Sequence, residues 1–414
     1  MPQMSHSFPV REAAAMDADA ATIPELTALL LDEQFYAGDP HPALARLRRD
    51  APIVRDERYG FWVLTRHRDV HEVSRDNDRF VSGYGVNFAH FLDEPLEVPG
   101  SLLSCDPPIH TRYRRILWEA FTPKRIRALE PLVRARAVQL LDALEPGGVT
   151  EWVSQVSVPY PLIVLAELMG LPADDWREYC DWMDAAVRTN NPNASDEDRK
   201  VVDQMRVFLL DAVEQRRGTG APGVISMLAD YRDEDGNALT PRELLMFLLQ
   251  LFIAGNETTR NTITGGMVGF AENPDQWALL RADRSLVDSA VEEILRWSTA
   301  VTHFFRTAAV DTEIDGVPIA KRERVFMSYT SANRDEDAFG PTADRFDITR
   351  TPNPHLAFGF GAHFCLGAAL ARMEVRVLLE ELLDRFETIE LAGPVVRLPN
   401  VAIAGFGRAD LRLA

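Results

Sequence analysis

Phe358-Gly359-Phe360-Gly361-Ala362-His363-Phe364-Cys365-Leu366-Gly367 sets one cysteine among three glycines, directly before an amphipathic run that ends near Phe386. A lone cysteine with apolar neighbours is ordinarily a small buried hydrophobe. Here the setting differs. Gly359 and Gly361 permit tight, positive-φ backbone close to a bulky planar group, and Gly367 leaves room where the next helix begins. A cysteine at a helix N-terminus also meets the positive end of the dipole and nearby backbone N–H groups, both of which favour the thiolate. A thiolate ligates metal, so the stretch predicts a metal centre on Cys365. Zinc held by His363 and Cys365 would need a second ligand pair at metal spacing, which the sequence lacks.

The rest of the chain narrows the class. Its 414 residues, 46% hydrophobic and 26% charged, fit an ordinary globular protein with a large core. A net charge of -19 speaks against a broad nucleic-acid-binding surface, which needs clustered Lys and Arg. The three cysteines are too scattered for a disulfide framework, so a reducing, cytoplasmic setting is expected. The first 22 residues have no basic stretch followed by an apolar one and read as a mobile tail. The most apolar run, Leu244 to Gly255, is too short to span a bilayer and contains Gln250. With no internal repeat or long linker, residues 23–414 read as a single domain.

Apolar periodicity predicts mainly α structure with small β-sheets. The segment His41–Asp50 reads as a helix, and Pro52–Asp56 with Tyr59–Thr65 as a hairpin. The region from Pro107 to about Arg217 reads as packed helices, and 218–223 as a loop that does not match the dinucleotide fingerprint. Thr240-Pro241-Arg242-Glu243 has the pattern of a capping box with proline at the first helical position. The helix it opens should run to about Glu272, ~50 Å at ~1.5 Å per residue, long enough to cross the molecule and wall a cavity.

Three further groups of residues stand out. Glu293 and Arg296 lie three apart on one helix face, a spacing that supports an ion pair. The same spacing at Glu72/Arg75, Glu214/Arg217 and Glu257/Arg260 reads by default as solvated surface pairs. Asp106-Pro107-Pro108 looks like a helix start with Asp106 as cap, which places His110 and Arg114 four apart on one face. Inside the long helix, Ala254-Gly255-Asn256-Glu257-Thr258-Thr259 breaks an apolar run with an acid and two alcohols, where a helix either emerges into solvent or carries chemistry.

The cysteine stretch resembles the loop of the cytochrome P450 monooxygenases, F-G-x-G-x-H-x-C-x-G. Phe358, Gly359, Gly361, His363, Cys365 and Gly367 match each fixed position, and with the other motifs the resemblance extends from roughly residue 35 to the C-terminus. It implies that family's fold, with haem b between the long helix and the cysteine loop and Cys365 as axial ligand. The thiolate pushes electron density toward bound O2 and favours O–O cleavage. By the same resemblance Glu257 and Thr258 deliver protons to the oxygen, and His110, Arg114, Arg306 and His363 bind the haem propionates. Glu293, Arg296 and Arg345 should form a structural trio beneath the haem.

The implied reaction is monooxygenation of a lipophilic terpenoid, steroid, aromatic or fatty molecule, with electrons from NAD(P)H through a ferredoxin and its reductase. The chain is too short for an attached flavin domain. A peroxygenase driven by H2O2 and a haem-thiolate sensor are the rivals. Expected pocket walls are Phe88, Phe91, Phe247, Gln250, Ile253, Ala254, Val301, Thr302, Phe304 and Ile403, all apolar except Gln250 and Thr302. Helical spacing puts Gln250 on one stripe with Ala254 and Thr258, so its amide either bonds nearby backbone or anchors a polar atom of the substrate. Arg112, Arg115 and Arg372 should form a basic docking patch for the ferredoxin, or merely balance acids such as Glu119 and Glu374.

Overall fold

A computed structural model describes residues 18–88, 95, 99–189 and 195–414. Phe91 and residues 1–17 lie outside them. The rest of the segment expected as a tail is docked: the carbonyls of Ala18 and Asp19 accept from Arg46 Nη1 at 3.1 and 2.7 Å.

Helices dominate, as the periodicity predicts. The long helix spans Pro241–Glu272. Its capping box is formed, with Thr240 Oγ1 accepting the Glu243 N–H at 3.2 Å and Glu243 Oε2 accepting the Thr240 N–H at 2.9 Å. Helices Pro159–Met169, Asp196–Arg216 and Val287–Ser298 pack against it. The helix after the cysteine, Ala368–Arg385, packs on Pro123–Leu141 and Val287–Ser298. No helix among the described residues is long and apolar enough to cross a membrane.

The hairpin Ile53–Asp56/Phe61–Leu64 forms one edge of a five-stranded sheet. Arg324–Ser328 joins it in parallel, followed by His303–Ala308 and Phe80–Val81, both antiparallel. Alternation along His303–Ala308 decides which side chains serve the core. His303 stacks on Phe326 at 4.3 Å and Phe305 meets Phe61 edge-on at 5.2 Å, which leaves Phe304 and Arg306 for the opposite face. A second sheet pairs Asp410–Leu413 with Val149–Glu151 and Ile389–Leu391.

The irregular chain from Asn333 to Asn353 is held by a buried ion pair. Arg296 and Glu293 have no accessible side-chain surface and meet through two hydrogen bonds of 2.7 Å. Arg296 also donates to the carbonyls of Asn333, Ala343 and Arg345, and Glu293 accepts the Asp347 N–H at 2.8 Å and Asn353 Nδ2 at 3.1 Å. Arg345 was expected to bring its guanidinium; it contributes its carbonyl, and its side chain is exposed. The third ionic partner is Arg350, whose Nε donates to Glu293 at 3.2 Å while its other nitrogens serve the carbonyls of Phe339 and Thr342. In an irregular segment no periodicity tells which arginine turns inward.

Two other local expectations change. The helix after Asp106 runs Ile109–Trp118, and Asp106 does not cap it with its side chain. Its carboxylate accepts the N–H groups of Ser82 and Gly83, both at 2.8 Å, and so ties the sheet's edge to the helix start. Glu72 pairs with Arg79 at 2.7 Å instead of with Arg75, whereas Glu214 and Arg217 form the exposed pair expected.

Arg350→Ala should strand Glu293 with one cation and leave the Phe339 carbonyl without a donor, a loss of about 2–4 kcal/mol. Arg345→Ala should leave the urea midpoint where it was. Equal losses in the two variants would return Arg345 to the trio.

Candidate functional site

Cys365 lies deep in the fold yet has accessible surface, so its open face looks onto an interior space. The backbone explains how it is placed. Gly359 and Gly361 adopt φ of 66° and 75°, and a Cβ at Gly361 would collide with the carbonyl of Ser74. The Cys365 N–H closes the loop on the Phe358 carbonyl at 2.9 Å. Burial pushes the thiol up, while the N–H groups of Gly367 and Ala368 and the charges of Arg114 and Arg372 pull the other way. In the protein alone burial prevails; a bound metal cation would tip the balance to thiolate.

Around this space the structure gathers two arginines and two histidines. Burial, the largest cause, pushes His110 down to about 4 and His363 to about 2, with further lowering from neighbouring arginines. Their rings stand 4.2 Å apart. Burial also lowers Arg114 and Arg306, and Arg306 Nε is buried with no hydrogen-bond partner. Among the described residues no carboxylate forms an ion pair with either arginine. Asp106, an acid whose charge bears on Arg306, is committed to Ser82 and Gly83.

Such a set of donors suits a bound group with carboxylates of its own. At Gly367 φ is -84° and a Cβ would meet no protein atom within 4 Å, so neither backbone strain nor protein packing demands a glycine there. The residues therefore fit a flat, dicarboxylate cofactor seated on Cys365. His363 is further fixed by Ser82 Oγ, 3.3 Å from its Nε2, and by the backbone of Leu102. No local signal marks Ser82 or Leu102, because each acts through chain brought in from elsewhere.

The long helix supplies the facing wall. Ile253 and Ala254 are exposed in the middle of a helix that is otherwise well packed, Ile253 at 42%. Thr258 Oγ1 donates to the Ala254 carbonyl at 2.7 Å. Glu257 does not hydrogen-bond Thr258. It pairs with Arg260 at 3.1 Å, which in turn reaches toward the exposed Asp184 at 4.0 Å. This pair is largely buried, with 17% and 12% of the side chains accessible, so it is not the solvated surface pair its spacing suggests.

The pocket list is only partly brought together. Val301, Phe304 and Ile403 are half-buried, with Val301 bridged to Ile403 and Phe304 against Tyr329. Phe247 is fully buried against Tyr113, and Thr302 is buried with its hydroxyl on the Val401 carbonyl; both are core. Phe88 packs on Tyr59 and Phe61 at the sheet. Gln250 is taken up by backbone: its Oε1 accepts the Leu102 N–H at 2.8 Å and its Nε2 donates to Gly100 at 3.0 Å and Met246 at 3.2 Å.

The docking patch changes too. Arg112 pairs with Glu243 at 3.3 Å and Arg372 is held by two bonds to Glu292, while Arg115 is exposed. Acids do balance two of the three arginines, but Glu243 and Glu292 do so, not Glu119 and Glu374.

Residues 164–401 match the family described as Cytochrome P450. Linalool 8-monooxygenase of Pseudomonas putida is 38% identical over 391 residues, 90% of this chain and 95% of that protein. Steroid C26-monooxygenase of Rhodococcus jostii is 36% identical, over 89% of this chain and 80% of that one. The solved structure of cytochrome P450-153 from Novosphingobium aromaticivorans aligns with a TM-score of 0.84 at 32% identity, covering 93% of this chain and 99% of that one.

Gln250→Leu should leave the Leu102 N–H unsatisfied and cost about 1–3 kcal/mol in unfolding experiments. Binding of an alcohol and of its hydrocarbon analogue should weaken by the same factor. A loss confined to the alcohol would make Gln250 a substrate anchor after all.

Proposed function

The chain belongs to the cytochrome P450 monooxygenase family, which implies haem on a cysteine thiolate and use of O2, and from that premise we propose that Cys365 is the thiolate, on haem b, and that the substrate is a neutral terpenoid or steroid-like molecule. The observation that carries the assignment is the pairing of Cys365, at the mouth of a helix, with four cationic or potentially cationic donors that have no protein counter-ion. Bound haem would supply the activation of O2 and the transfer of one oxygen atom to substrate.

The chain's own residues divide the remaining work. Arg114, Arg306, His110 and His363 would hold the two propionates, and their uncompensated state in the protein alone is the reason to expect it. Ile253, Ala254, Val301, Phe304 and Ile403 offer apolar surface that would exclude water and bind a lipophilic skeleton through burial. Two relatives, linalool 8-monooxygenase and steroid C26-monooxygenase, are named for molecules of this kind. Thr258 is the hydroxyl nearest in sequence to the accessible turn Ile253–Ala254, and its own proton is directed to the Ala254 carbonyl. Its oxygen lone pairs are thus free to accept a proton or a water while it donates. Glu257, paired with Arg260 on the side of Asp184, would take protons from solvent and pass them inward.

Electrons would come from NAD(P)H through a separate ferredoxin and reductase, as the resemblance implies. With Arg112 and Arg372 already paired, Arg115 is the arginine of the three best able to meet an acidic partner.

Cys365→Ser should remove the long-wavelength band of the reduced, carbonyl-bound protein even where haem is retained; a variant that keeps the band has its thiolate elsewhere. Thr258→Ala should bind substrate within about twofold of the parent while product formed per NAD(P)H falls severalfold and hydrogen peroxide rises. An unchanged ratio would take Thr258 out of proton delivery and revive the peroxygenase reading.

A further inference from the structure

Glu292 stands one residue before Glu293, and a helix turns ~100° between neighbours, so the two carboxylates serve different partners. Glu293 faces the irregular chain. Glu292 faces the helix that follows the cysteine, where Oε1 accepts from Arg372 Nε at 2.6 Å and Oε2 from Arg372 Nη2 at 2.9 Å. The same Oε2 lies 3.0 Å from Nε2 of His355, a side chain with almost no accessible surface. These bonds hold the Glu292 carboxyl down at about 2 despite the opposing cost of burial.

The guanidinium held in this way lies over the ring of Phe358, 4.6 Å from its centroid. Phe358 is the residue whose carbonyl accepts the Cys365 N–H at 2.9 Å. A chain of direct contacts therefore runs from Glu292 through Arg372 and Phe358 to the cysteine loop. It is unnecessary for joining the helix to the irregular chain, since Glu293, Arg296 and Arg350 already do that.

We propose that Glu292 is a positioning residue that sets the electron donation of the Cys365 thiolate, by fixing Arg372 over Phe358 and compensating its charge. It touches neither sulfur nor substrate, so it acts only through its partners, as outer-shell groups do at metal centres. Removing the carboxylate charge leaves Arg372 as an uncompensated cation near the sulfur. That favours the more negative, reduced state of the centre. Removing Arg372 does the reverse.

The inference rests on Cys365 carrying the haem. Its test is the ferric–ferrous equilibrium of the haem-loaded protein, titrated with dithionite and mediator dyes while the Soret band is followed. Glu292→Gln keeps a side chain of the same shape and should make reduction severalfold easier, up to about tenfold, which is 59 mV for one electron. Arg372→Gln should make it severalfold harder. Both variants should keep the long-wavelength band of the reduced, carbonyl-bound form.

If both reduce like the parent, or shift in the same direction, Glu292 has a structural role only and the proposal falls, whatever happens to the unfolding midpoint. Should Glu292→Gln fail to load haem, Arg372→Gln decides alone, an unchanged equilibrium overturning the proposal. A parent protein without the long-wavelength band would instead sink the assignment of Cys365, which is a separate failure.

Discussion

The fold beneath the site depends on one buried ion pair. Glu293 and Arg296 are stripped of water, which costs several kcal/mol per ion unless each hydrogen-bonding position is answered. It is answered here by backbone. Three carbonyls and one N–H from the irregular chain, none of them served by a helix or sheet ladder, take up what the two side chains do not give each other. A hydrophobic pair of equal volume would pack well but leave those peptide groups buried and unpaired. The ionic pair is thus a substitute for secondary structure in a segment that has little.

The site obeys the opposite rule. Arg306 and His110 are buried and Arg114 and His363 half-buried, with no carboxylate among the described residues paired to either arginine, and Arg306 Nε has no hydrogen-bond partner among them. A chain selected only for stability would have placed an acid among them. One acid, Asp106, is close by, yet it is turned to two backbone N–H groups. Comparison of the two clusters separates structure from function: the first is closed within the chain, whereas the second would be completed by a bound group.

Features written in local sequence were legible. The capping box at Thr240, the reach of the long helix, the N-terminal hairpin and the glycines of the cysteine loop depend on neighbours a few residues apart. What could not be read depends on distant chain. Arg350 and Arg345 both lie in the irregular segment, and which one turns inward is decided by a helix some fifty residues earlier. Asp106 has the sequence of a helix cap but finds better donors on the strand edge. Thr302 and Phe304 are two apart in sequence, yet Thr302 lies just before the strand His303–Ala308, where Ala402 and Val401 claim its backbone and hydroxyl. Even so, the residues that define the family lie in short motifs, and so the chemistry was more legible than the walls of the pocket.

Gln250 shows what a misplaced expectation can reveal. Helical spacing puts its amide on the cavity stripe, but the strap Gly100–Leu102 comes close enough to use both ends of it. Leu102 is held there by its N–H and meets the ring of His363 with its backbone. One residue, Leu102, therefore links the helix that walls the cavity to the loop that carries Cys365. Both faces of the site are set against the same short strap. The strap is accordingly tied to the helix by hydrogen bonds, where apolar packing alone would let the two slide, because hydrogen bonds are directional and the hydrophobic effect is not.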